Sequence, residues 1–200
     1  MGSAGLRRDP AGTWRQPPPG PCLALTRPTK QGLHAAPGRK ILVGRNRLVG
    51  VTVIDRRAGR VLLVDRDERV LLLHGGDPGR PEQRWWFTPG GGLEEGETTA
   101  LAAQRELYEE VGLRVEPGDL SGPVHHEVTE FEYDSRHYRQ AQDFYLLRVP
   151  AWEVDTSGMD AEEQSTIIAH RWWSAEEIAA SDEAIFPLDL AGLLRRVLEV

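Results

Sequence analysis

The sequence predicts an α/β fold of the α+β kind, an α/β/α sandwich built on a mixed β-sheet. Three observations carry this. β-branched and leucine-rich runs of strand length cluster between residues 48 and 88; one long amphipathic helical pattern follows at 98–112; more strand-like runs and two late helical patterns complete the chain. A length of 200 residues suits one domain plus an extension.

The extension comes first. Residues 1–50 hold nine Arg or Lys and one acid, Asp9, a balance of +8 against −7 for the whole chain, so the remainder carries −15. Pro10, Pro17, Pro18, Pro19, Pro21, Pro28 and Pro37 punctuate the same stretch, and no apolar periodicity begins before about Ile41. Residues 1–46 are therefore expected to be a disordered Pro/Gly/Arg-rich tail, polyproline-like around QPPPGP, and residues 47–200 the folded domain. No run reaches the ~18 apolar residues that a membrane helix needs. No apolar signal segment opens the sequence, and Cys22 has no partner for a disulfide or a cysteine metal site. A cytoplasmic location and no membrane partner are the expectations. The acidic body argues against nucleic acid as a partner, and a homodimer is left open.

Within the domain, LVGVTVID (48–55), RVLLVD (60–65) and RVLLLHG (69–75) read as strands, the last two joined by the turn Arg66-Asp67-Glu68. RWWFT (84–88) is a short aromatic strand. Pro89-Gly90-Gly91-Gly92 should end it in a loop, because such residues continue neither a ladder nor a helix. In LEEGETTALAAQRELYEEVGL, Thr98 or Thr99 caps a helix, Ala100, Ala103, Leu107 and Val111 recur at spacings of three and four, and Gly112 supplies a left-handed end. Strands are expected near 124–133, over 137–149 and in TIIAHRWW (166–173). A helix SAEEIAA capped by Ser174 and another, LDLAGLLRRVLE, after Pro187 complete the chain.

RELYEEVG, residues 105–112, places Glu106, Glu109 and Glu110 within one ~100° arc of the central helix. Like charges at these spacings cost a few tenths of a kcal/mol per pair, and the last helical turn is the negative end of the dipole. A divalent cation with hard oxygen ligands resolves that conflict; a solvated acidic face is the plain alternative. Glu127, Glu130 and Glu132 alternate along a strand and are expected to share a solvent face. His125 and His126 are adjacent on that strand and point to opposite faces, so they do not make a joint metal site. Of Trp85, Trp86, Trp172 and Trp173, one of each pair is expected in the core, leaving Trp85, Phe87 or Trp172 to stack on a base.

Read from Gly91, the sequence runs glycine, five residues, Glu97, seven residues, Arg105-Glu106, Leu107, one residue, Glu109-Glu110, one residue, Gly112, Leu113. This resembles the signature of the Nudix (MutT-like) hydrolase family at every defined position. WWFTPGGG before it and HRWWSAEEI after it extend the likeness over roughly residues 47–200. The resemblance implies the Nudix-type α/β/α sandwich with its loop-helix and a Mg²⁺- or Mn²⁺-dependent hydrolysis. A diphosphate linkage in a nucleoside diphosphate derivative, such as a nucleotide sugar, ADP-ribose or a (d)NTP, is cleaved by attack of water on phosphorus.

By the same resemblance, Glu106, Glu109 and Glu110 are metal ligands, Glu97 supports them, and Arg105 orients a neighbouring carboxylate. Gly90, Gly91 and Gly92 let the loop turn sharply beside the phosphates. Members differ in their general base, which often comes from the loop before the late strand; here MDAEEQS offers Glu162 and Glu163, with Glu163 preferred and Glu110 as the alternative. Neither the downstream proline of ADP-ribose pyrophosphatases nor the tyrosine of dinucleoside polyphosphate hydrolases stands at Thr129, Glu130 or Phe131, so the small-molecule nucleotide stays open. A catalytically silent Nudix-fold nucleotide sensor is the rival reading, weakened because no carboxylate of the signature is missing. An isomerase on the same fold would need a cysteine within the domain, and Cys22 lies in the tail.

Overall fold

A computed structural model describes residues 7–8, 14–15, 52–116 and 118–199. Most of the expected N-terminal tail lies outside them; within it, β1 (Arg7–Arg8) pairs antiparallel with β2 (Trp14–Arg15). The domain is one mixed eight-stranded sheet with helices on both faces.

Its first long strand, β3 (Val53–Val64), joins two runs that the sequence suggests are separate. It lies parallel to β8 (Arg136–Arg148) along its whole length, and this continuous partner carries it through Arg56–Gly59. A turn leads into β4 (Val70–Asp77). There the Asp65 carboxylate accepts the Asp67 N–H at 3.0 Å and the Arg69 N–H at 2.9 Å, and Glu68 adopts φ 60°. β5 (Arg80–Phe87) returns antiparallel to β4, and β7 (Ser121–Tyr133) is joined to β8 by the two-residue turn Asp134-Ser135, both at positive φ. β9 (Ala169–Trp173) pairs with the other edge of β4, and β10 (Ile185–Phe186) lies parallel to β5.

Alternation divides the core in two. Leu62, Val64, Val70 and Leu72 face one way, with Trp86 and Trp173, against α3 (Ala175–Ala180) and α4 (Leu190–Leu198). Val61, Leu63, Leu71 and Leu73 face the other way, against Ala103, Leu107 and Val111 of α1 (Thr99–Val111). Burial on both faces explains why these strands read as unbroken apolar runs. Trp86 stacks on His74 at 4.4 Å and meets Trp173 edge-on at 5.1 Å, so one tryptophan of each pair is core, as the sequence suggests.

Two local structures correct the sequence reading. Gly90–Gly92 is not loop but a three-residue strand, β6, antiparallel to Ala58–Arg60 of β3. The ladder needs only backbone groups, and Gly90 holds φ 128° with no room for a Cβ against the Gly59 carbonyl. The segment before β9 is not all loop and strand either. Ala161–Thr166 forms a short helix, α2, closed by a capping box between Asp160 and Glu163, with a 3-10 helix at Thr156–Gly158 before it.

Candidate active site

Helix α1 delivers the acidic residues, and its ends fix their position. Thr98 caps the N-terminus, its hydroxyl accepting the Leu101 N–H at 3.3 Å. Gly112 ends the helix at φ 73°, its N–H donating to the Leu107 and Tyr108 carbonyls. The apolar stripe seats against β3, so the arc beside it aims at β6 and α2. Glu106 and Glu110 are buried, at 5% and 4% exposure, and Glu109 is half-buried.

Arg105 organises this arc. Its Nε and Nη2 hold Glu97 at 2.9 and 3.0 Å, its Nη1 reaches Glu106 at 2.7 Å and Glu109 at 3.2 Å, and Nη2 also donates to the Gly92 carbonyl at 2.8 Å. One guanidinium thus ties helix, loop and strand together, using all its donors. Burial alone would lower the Arg105 pKa, and the Glu97 and Glu106 carboxylates outweigh it, so the group titrates above its ordinary value. Glu97 is held low by its hydrogen bonds from Arg105.

Glu110 lies behind the cluster, accepting the Gly90 N–H at 2.7 Å. Burial, then the Glu106 charge, push its carboxyl well above the usual range against that hydrogen bond and Arg60. Glu106 is raised as well, by burial first and by the charges of Glu163 and Glu109, with Arg105 opposing. A Cβ at Gly91 would overlap the Glu106 carboxylate, which explains glycine there by close approach. Glu163 arrives from α2: Glu106, Glu109 and Glu163 each offer an oxygen, and these atoms lie within 4.8 Å of one another. Its Oε2 accepts the Asp160 N–H at 2.7 Å, so the helix cap also sets the carboxylate. An all-oxygen donor set of three converging carboxylates fits a hard divalent cation.

The remaining expected residues divide. Phe87 and Trp172 pack at the margin of the α1-side core, and Trp85 is half-buried on β5. Glu162 accepts the Tyr133 hydroxyl at 3.3 Å. Glu127 does not share a face with Glu130 and Glu132. An odd separation along β7 turns it inward, where it accepts from Gln142, while the other two are exposed beside Arg139 and Arg80. His125 and His126 do diverge, toward Glu127 and Asp143 respectively.

The NUDIX domain family model matches residues 48–191, most of the chain. The chain belongs to the Nudix family. A Nudix protein from Bacillus subtilis, named Uncharacterized Nudix hydrolase YvcI, is 35% identical over 60 residues, 30% of this chain and 35% of that protein. A MutT-like protein of Streptomyces ambofaciens is 39% identical over 61 residues, 30% and 36% of the two chains. These alignments span about a third of each relative. The fold is shared with the Escherichia coli dihydroneopterin triphosphate pyrophosphohydrolase at TM-score 0.52 and 22% identity, covering 72% of this chain and 96% of that one. Hydrolysis of nucleoside diphosphate-linked compounds is the general chemistry of a Nudix chain. No helix among the described residues is long and apolar enough to cross a membrane.

What the sequence missed lies on β3 and β8. Arg60 donates to the Thr88 and Gly90 carbonyls and, at 3.4 Å, to Gln142, fastening the β5–β6 junction to β3 and β8. Arg56 donates to Gln140, which donates to Gln142 at 2.7 Å. The available signal was parity: Arg56 and Arg60 share the inward face of β3 with Leu62 and Val64.

Proposed function

We propose that this protein hydrolyses a diphosphate linkage in a small nucleoside diphosphate derivative, using Mg²⁺ or Mn²⁺. The observation that carries the reading is the convergence of Glu106, Glu109 and Glu163, from two separate helices, within 4.8 Å. Glu106, Glu109 and Glu110 are assigned as the residues that hold the cation, with Glu97 acting on them through Arg105. A bound divalent ion would withdraw charge from the bridging phosphates and acidify water.

The chain's own groups supply positioning. Arg105 keeps Glu106 and Glu109 pointed into the cluster, and the Gly90–Gly92 strand brings backbone close to the carboxylates. Glu163, on an element independent of α1, takes the proton of the attacking water as it adds to phosphorus. The leaving phosphate departs with the diphosphate bond broken and one product on each side. Trp85, Phe87 and Trp172 are the aromatic candidates for the base.

The test is product release from ADP-ribose, nucleotide sugars, dinucleoside polyphosphates and (d)NTPs with Mg²⁺ or Mn²⁺, for wild type, Glu109→Gln and Glu163→Gln. Wild-type turnover that collapses in Glu109→Gln supports the reading. For Glu163→Gln the expected result is lost kcat with metal affinity retained; lost metal affinity instead makes Glu163 a ligand. Binding of nucleotide and metal with no turnover on any substrate would replace hydrolysis with sensing.

A further inference from the structure

The inward face of β3 changes character part-way along. Leu62 and Val64 are covered by α4 and its neighbours, whereas Arg56 and Arg60, on the same face, meet polar groups. Four residues separate the two arginines, ~13 Å of strand. Arg60 is occupied by loop carbonyls. Arg56 donates only its Nε, to Gln140, and among the described residues its two terminal nitrogens meet no protein acceptor and no carboxylate. Its guanidinium carbon lies 4.8 Å from the Tyr138 ring centroid and 5.2 Å from that of Phe131, two rings stacked at 5.6 Å. Burial, and then the Arg60 charge, lower its pKa to about 10.

A guanidinium braced on two rings, fixed at Nε, half-buried and with no carboxylate bonded to it among the described residues is costly to keep unless it has a ligand. The same environment presents its Nη1–Nη2 edge in the fork that matches a phosphate bidentately. Hydrogen bonds lead from Arg56 to the acidic cluster: its partner Gln140 donates to Gln142, Arg60 donates to Gln142 and to the Gly90 carbonyl, and the Gly90 N–H donates to Glu110. Arg56 therefore belongs to the wall beside the cluster rather than to an unrelated surface. Arg105 has no donor left for substrate, so a cation for charge beyond the cleaved diphosphate must come from elsewhere.

We propose that Arg56, braced by Phe131 and Tyr138 and fixed by Gln140, binds a phosphate group remote from the cleaved bond, and so selects nucleoside triphosphates or polyphosphates over nucleotide sugars with an uncharged sugar. This rests on the hydrolase reading above and deepens it. Arg56 acts on substrate binding, whereas Phe131, Tyr138 and Gln140 are positioning residues. Selection arises because a sugar hydroxyl cannot replace the phosphate charge, leaving the half-buried guanidinium without a counter-charge.

The experiment compares wild type, Arg56→Gln and Arg56→Lys in steady-state kinetics with a nucleoside triphosphate and a nucleotide sugar. A second arm measures calorimetric binding of inorganic tripolyphosphate with Ca²⁺ present. The expected result for Arg56→Gln is a rise of about 10- to 100-fold in KM for the triphosphate, with kcat within about threefold and little change for the sugar. Tripolyphosphate binding should weaken by a similar factor, and Arg56→Lys should fall between, since it keeps charge without the fork. Equal effects on both substrates, no effect on either, or no tripolyphosphate binding by wild type would overturn the assignment. If wild type hydrolyses nothing, the hydrolase reading fails and the tripolyphosphate arm alone decides Arg56; if Arg56→Gln does not fold, Arg56→Lys carries the comparison.

Discussion

The end of β4 and the acidic face of α1 both bury carboxylates, and they treat them oppositely. Asp77, 1% exposed at the end of β4, accepts the Gly79 N–H at 2.8 Å, the Asp134 N–H at 2.9 Å and the Arg80 Nε at 3.0 Å. Burial works to raise its pKa, and these donors outweigh it, so it titrates below the ordinary 3.8. Glu106 and Glu110, also buried, sit above the ordinary 4.5 because burial and neighbouring carboxylates outweigh Arg105 at the first, and the Gly90 N–H and Arg60 at the second. The contrast separates a carboxylate the protein itself has satisfied from carboxylates left short of positive charge. The first kind completes a fold; the second kind fits an added cation.

Substitutions should break the two regions differently. Glu109→Gln should cost on the order of 10²-fold or more in kcat, measured as product release, and leave the melting temperature unchanged or raised, because one like charge is gone. Asp77→Asn should do the reverse: about 1.5–3 kcal/mol of stability lost in denaturant unfolding, with kcat of the folded protein retained. The pH dependences should also oppose one another. Asp77 is lowered, so its stabilisation is present above its unfolded value near 3.8 and is lost as pH falls through its lower folded value. Glu110 is raised, so the folded state loses stability as pH rises from the unfolded value near 4.5 toward its folded value. Unfolding curves from about pH 2 to pH 8 should therefore fall less steeply on the acid side in Asp77→Asn and flatten on the other side in Glu110→Gln. Added Mg²⁺ should raise the melting temperature of wild type and not of Glu106→Gln.

The helix caps sharpen the same comparison, because they hold the acidic arc without touching it. Gly112→Ala should cost about 1 kcal/mol or more, since φ is 73° and a Cβ would meet that of Asp155 at 2.8 Å. Thr98→Ala should cost about 0.5–1 kcal/mol, its cap bond being long at 3.3 Å. Both are read from thermal unfolding, with kcat at saturating metal changed less than in Glu109→Gln.

The legible parts of the fold were those with local chemistry. Thr98 and Gly112 mark the ends of α1, Ser174 starts α3, and unbroken apolar runs give the strands shared by both core halves. What escaped depends on pairing that side chains do not announce. Gly90–Gly92 becomes β6 only because β3 offers it a backbone edge, and α2 is six residues whose capping box resembles a loop. Of the candidate site, the arc of Glu106, Glu109 and Glu110 was legible from helical spacing, whereas Arg105 and Glu163 came from the resemblance to the Nudix signature. Arg56 and Arg60 were not legible, because a charged residue on a strand reads as solvent-facing until the strand is known to be covered.

The central claim is that the acidic cluster is built for a divalent cation, and calorimetric titration of Mn²⁺ into wild type and the Glu106→Gln/Glu109→Gln double variant tests it most directly. Saturable binding is expected in wild type and should disappear in a folded double variant. Equal heats from both proteins, or none from wild type, would contradict it.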